Sequence, residues 1–68
     1  MQHLVGKKIR TARERKGWLQ SDLAKATGLT VRTVGRIERG EVDVRLSTLT
    51  KIARALGTSV SELLAEKI

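Results

Sequence analysis

Apolar residues recur along the chain at helical rather than strand spacing. Val5, Ile9 and Ala12 stand at i, i+4 and i+7, so a first helix is expected over about residues 3–16, with Arg13 bordering its apolar stripe. Lys7, Lys8, Arg10 and Arg15 fall elsewhere around that cylinder. A second helix over about residues 20–27 turns Leu23 and Ala24 inward. Trp18, two positions ahead of it, can staple onto Leu23 and set the angle at which the chain approaches. A third helix is expected over residues 31–39, with Thr30 as its N-cap. Leu46, Leu49, Ile52, Ala53 and Leu56 define a fourth and leave Lys51 and Arg54 outside. Ser59-Val60-Ser61-Glu62 has the pattern of a capping box and opens a fifth that continues through Leu63 and Leu64. Gly17, Gly28, Gly40 and Gly57 each follow one of these segments, where a C-terminal cap calls for positive φ. Gly6 and Gly35 fit no such role. Only residues 41–44 look irregular, and there are no repeats. The pattern predicts one all-α domain over residues 1–68, a compact five-helix bundle with short turns.

Composition narrows this further. A chain of 68 residues buries only about 60% of its unfolded surface, so a 40% hydrophobic content allows a modest core. Without cysteine, disulfides and thiolate zinc sites are excluded. The absence of proline and the single aromatic residue, Trp18, disfavour a sheet. No apolar run exceeds three residues, which rules out a membrane span, and the first residues lack the apolar stretch of a secretory signal. A soluble cytoplasmic protein is the expectation.

Charge changes the picture more. Fourteen Lys and Arg against seven Asp and Glu give a net charge of +7, a surface that attracts polyanions, of which nucleic acid is the commonest in the cytosol. The distribution of those charges is more specific than their sum. Only Gly28, Leu29 and Thr30 separate the second and third helices, which matches a helix-turn-helix over about residues 20–39. Ala24 is the small residue a close helix crossing needs, and Val34 and Ile37 anchor the third helix from inside. At about 100° per residue, the direction opposite that anchor falls on Arg32, Arg36 and Arg39. A stripe of arginines is, by itself, also what a merely solvated face looks like. Within this frame it is a candidate DNA-reading surface, because the major groove admits one helix whose first turns reach base edges. Val31, Arg32 and Arg36 are the candidates for base contact: arginine offers a two-pronged donor to guanine, and valine can pack on a thymine methyl. Gln20, Thr30, Thr33, Arg39 and Arg45 are the candidates for phosphate contact. Gly35, beside the stripe, is expected on the exposed face, where a missing side chain would allow a duplex wall close approach. The reading requires the arginine tips to face solvent and to be free of acidic groups of the same molecule.

The combination Gln20-x-x-Leu23-Ala24, Gly28-Leu29-Thr30, Val34-x-x-Ile37-Glu38-x-Gly40 and Leu49-x-x-Ile52-Ala53-x-x-Leu56-Gly57 resembles the phage repressor/Cro-type (XRE-family) helix-turn-helix regulators, from about Val5 to Leu64. The resemblance implies a lambda repressor-like five-helix DNA-binding domain, usually a homodimer, acting on transcription at a near-palindromic operator on double-stranded DNA. It also implies an ion pair between Arg13 and Glu38, in agreement with their positions at the borders of the two apolar stripes. Three departures stand out. Leu19 replaces the Ser or Thr before Gln20, removing an N-cap bond worth about 1 kcal/mol. Val44-Arg45 replaces the family's Pro-Ser. Glu41 and Asp43 stand where relatives often carry basic residues that touch the DNA backbone, which leaves Arg45 as that loop's phosphate candidate.

Other classes fit less well. The sole histidine is His3, and the seven carboxylates form no metal or acid/base constellation, so no enzyme, metal, cofactor or small-molecule ligand is expected. A protein-interaction adaptor on the same fold is the alternative; loss of DNA binding with rising salt discriminates the two. Val60, Leu64 and Ile68 recur at i, i+4 and i+8 and form the candidate dimer surface, unless the first two only complete the core. The expected regulator is a repressor, although the residues do not themselves fix the sign of regulation.

Overall fold

A computed structural model describes residues 2–65 and contains five helices among them: α1 (Gln2–Arg15), α2 (Gln20–Thr27), α3 (Val31–Glu38), α4 (Leu46–Leu56) and α5 (Val60–Leu64). Each boundary falls within a residue or so of the periodic pattern because short-range chemistry sets it. Thr30 Oγ1 accepts from the Thr33 amide at 3.1 Å, and Ser59 Oγ accepts from the Glu62 amide at 3.2 Å, capping α3 and α5. At the other ends, α1 and α3 close in the same way. Gly17 at φ 75° lets its amide reach Glu14 O while the Trp18 amide reaches Arg13 O; Gly40 at φ 72° does the same with Ile37 O, and the Glu41 amide with Arg36 O. These paired bonds absorb carbonyls that would otherwise be unsatisfied and turn the chain back over the helix it has left. Gly28 and Gly57 also have positive φ.

The start of α2 differs from expectation in one respect. Leu19 offers no side-chain acceptor, but its amide donates to Asp22 Oδ2 at 2.7 Å, so the carboxylate supplies half of a capping box.

Ile9, Leu23, Val34 and Ile52 are almost wholly removed from solvent, with Val5, Ala24, Ile37, Leu49, Ala53, Leu56 and Leu63 packed around them. Each of the larger aliphatics contributes roughly 1.5–3 kcal/mol by leaving water. Trp18 and Val60 pack on this core from its margin. Leu46 does not join it: as the first residue of α4 it is 67% exposed, a correction to the expected apolar stripe. Helix α1 lies across α3, α4 and α5, while α2 packs on α3 and α4. The α1–α3 crossing is close enough that a Cβ on Gly6 would lie 2.5 Å from Ile37 O and 2.6 Å from Glu38 O. That contact explains the glycine inside α1. Among the described residues, no helix is long and apolar enough to cross a membrane.

Candidate nucleic-acid interface

The underside of α3 fixes how its outer face is presented. Val34 and Ile37 are buried, and Glu38 at the helix end is buried with them. A buried carboxylate needs paired charge and hydrogen bonds to offset lost hydration. Glu38 has both: Arg13 donates from Nε to Oε2 at 2.7 Å and from Nη2 to Oε1 at 3.1 Å, and Gln20 Nε2 donates to Oε1 at 3.1 Å. Arg13 Nη1 also donates to Trp18 O at 2.7 Å. The hydrogen bond to Glu38 holds the Arg13 guanidinium above its ordinary pKa, against the opposing effect of burial. One carboxylate thereby ties α1, the α1–α2 turn and the first residue of α2 to the end of α3. Among the described residues, no buried side-chain nitrogen or oxygen lacks a partner.

On the outward side, Val31 is 47% exposed and Arg32 and Arg36 are exposed. Arg32 makes no ion pair with any described residue. Thr30 donates its hydroxyl to Thr33 Oγ1 at 2.9 Å, which leaves the Thr33 hydroxyl proton as the pair's outward donor. Gln20 is half-buried and commits one amide proton to Glu38; a carboxamide carries two, so one remains. Arg45, the N-cap residue of α4, is exposed.

Two expectations about this face need correction. The arginine tips are solvent-facing, but they are not all free of acidic groups. Arg39 Nε donates to Glu41 Oε2 at 2.6 Å, and Arg36 Nε lies 3.8 Å from Glu41 Oε1. The cause is the turn at Gly40, which folds the chain back so that Glu41 stands beside the last turn of α3. The hydrogen bond from Arg39 draws the Glu41 carboxyl below the usual carboxylate range and raises Arg39 in turn. Gly35, expected on the exposed face, is buried instead. A Cβ there would meet Arg39 Nη1 at 3.0 Å and Gln20 Oε1 at 3.6 Å, so the space left by its missing side chain is filled by the Arg39 guanidinium.

Of the candidate dimer surface, Val60 is half-buried against the core and Leu64 is 40% exposed, while Ile68 lies outside the described residues. Leu4, on the helix that packs against α5, is 45% exposed and was not singled out by periodicity. Its position beyond the stripe of Val5, Ile9 and Ala12 gave no signal.

A family model described as helix-turn-helix, HTH_3, matches residues 9–63. The control protein C.SmaI of Serratia marcescens is 36% identical over 67 residues, which cover 98% of this chain and 80% of that protein. The transcriptional regulator SutR of Escherichia coli is 37% identical over 57 residues, 84% of this chain but 32% of SutR. Among solved structures, the restriction-modification controller protein C.AhdI from Aeromonas hydrophila superposes with a TM-score of 0.89 at 36% identity, covering 93% of this chain and 96% of that one.

Proposed function

Because this chain belongs to the helix-turn-helix family of XRE-type regulators, and is a DNA-binding transcriptional regulator rather than an enzyme, we propose that it is a repressor that reads operator major grooves with α3. The observation that carries this reading is the two-sidedness of α3. Its aliphatic underside and Glu38 are locked into the core, while Val31 and Arg32 in its first turn are exposed, Arg32 with no ion pair among the described residues. A rigid helix with an open first turn is what groove insertion requires.

Only Arg32 meets the requirement of an arginine free of acidic groups, and the requirement is relaxed for Arg36 and Arg39 because their pairs with Glu41 are exposed and exchangeable. In this reading Arg32 and Arg36 address guanine O6 and N7, and Val31 packs on a thymine methyl. Gln20, Thr30, Thr33, Arg39 and Arg45 hold the phosphates on either side and set the register. The whole chain, residues 1–68, acts as one binding domain in the cytoplasm, at the nucleoid. Two copies meet through Val60, Leu64 and Ile68, with Leu4 widening the patch. Their α3 helices then occupy successive grooves about 34 Å apart on a near-palindromic operator and exclude polymerase.

Methylation interference tests the groove assignment. Guanine N7 lies in the major groove and adenine N3 in the minor, so methylating the first should block binding and methylating the second should not. The reverse pattern overturns the proposal. Binding that is absent even at low salt favours a protein-docking adaptor instead.

A further inference from the structure

Glu41 divides the arginine face of α3 into two parts. Among the described residues Arg32 makes no ion pair, whereas Arg36 and Arg39 share one carboxylate, each with its own oxygen. The contact of each runs through Nε, the atom nearest the side-chain stem: a hydrogen bond at 2.6 Å for Arg39 and a longer ion pair at 3.8 Å for Arg36. The Glu41 backbone is fixed by the hydrogen bond its amide donates to Arg36 O at 3.0 Å, so the carboxylate is presented by a hydrogen-bonded turn. Gly35 completes the arrangement, since its missing side chain makes room for the Arg39 guanidinium to lie along the helix.

We propose that Glu41 is a positioning and specificity-determining residue for DNA binding. The proposal rests on the reading of α3 as the groove helix and extends it to a residue that touches no base. With Glu41 beside its Nε at 3.8 Å, Arg36 can turn its terminal nitrogens to the two-pronged contact to guanine, a pose compatible with retention of the Glu41 pair. A non-cognate duplex offers these arginines only phosphates. Arg39 meets a phosphate on either duplex, but to reach one Arg36 swings away from Glu41, breaks its pair and leaves that carboxylate oxygen unpaired close to the DNA backbone. Glu41 therefore penalises random sequence more than the operator. The residue that looks like a defect beside the arginine face raises the ratio of cognate to non-specific affinity.

The test compares wild type, Glu41→Gln and, as a control of equal charge change paired to an arginine elsewhere, Glu14→Gln, whose carboxylate meets Arg10 at 3.3 Å. The probes are a random duplex and the duplex that wild type selects from a random pool. Glu41→Gln should bind random duplex about three- to tenfold more tightly, the range of one or two exposed ion pairs, and gain clearly less on the selected duplex. Its salt dependence on random duplex should steepen by about one phosphate equivalent. In the free protein, the Arg39 Nε–H signal should lose its hydrogen-bonded shift in Glu41→Gln while the unfolding midpoint stays put. Equal gains on both duplexes, or the same gains from Glu14→Gln, reduce Glu41 to bulk charge and overturn the proposal. If wild type selects no duplex but the Arg39 signal behaves as described, the DNA reading itself has failed.

Discussion

The Arg13–Glu38 and Arg39–Glu41 pairs have the same chemistry and almost the same contact length, 2.7 and 2.6 Å, yet their side chains are 10% and 3% exposed in the first and 58% and 47% in the second. Distance does not decide what they do; solvent does. Water and salt screen the exposed pair, so trading it for a phosphate costs at most about tenfold in affinity. The buried pair has given up its hydration and cannot be traded. Removal of either buried partner strands the other, and that penalty fixes α3 against α1. Burial makes one Arg–Glu contact part of the scaffold and leaves the other adjustable on the working face.

The largest effect should come from breaking the buried pair. Glu38→Ala leaves Arg13 uncompensated and should cost about 3–5 kcal/mol by chemical denaturation. A domain this small rarely has more than about 3–5 kcal/mol to lose, so the variant should be largely unfolded at room temperature. If Glu38→Ala proves as stable as wild type, the scaffold role is wrong.

Next in size is Gly6→Ala, which presses a methyl group onto the backbone carbonyls of Ile37 and Glu38 where α1 crosses above the buried pair. Backbone yields poorly, so a loss of about 1–3 kcal/mol is expected. Gly35→Ala is the matching experiment at the exposed pair, and its sign should be opposite. The new methyl meets only the flexible tip of Arg39 and the Gln20 amide, while the helix gains about 0.5–1 kcal/mol in propensity. Thermal unfolding distinguishes the two: a midpoint that falls for Gly35→Ala as it does for Gly6→Ala would mean that Arg39 is held rigidly after all.

The smallest effect belongs to the exposed carboxylate. Because the folded chain lowers the Glu41 pKa, its contribution to stability is present above the ordinary glutamate value and is lost as pH falls through the lowered one. Arg39→Ala should move the Glu41 titration, followed by carboxyl NMR shifts, back toward the ordinary range without a measurable change in unfolding midpoint. An unmoved titration would show that Arg39 is not its main partner.

Much of this was legible in the chain. Thr30, Ser59 and the glycines at positions 17, 40 and 57 act through bonds only three to five residues long, so helix ends can be read locally. The inward Val34 and Ile37, and hence the outward arginines, follow from helical period alone. What escaped depends on contacts that periodicity does not encode. Gly6 is explained only by a helix far along the chain, and Leu46, at the first position of α4, is exposed although it continues that helix's apolar spacing. Glu41 could be recognised as an acidic residue in a basic setting, but not as a clamp. Its reach to Arg36 and Arg39 depends on the direction in which the Gly40 turn returns the chain.

The most direct test of the whole account is the set of sequences selected from a random duplex pool by wild type and by the Arg32→Ala/Arg36→Ala double variant. If α3 reads bases through those two side chains, wild type should enrich a symmetric motif containing guanines, and the variant should lose the preference at those positions while still binding duplex at low salt. An identical motif from both proteins would contradict it.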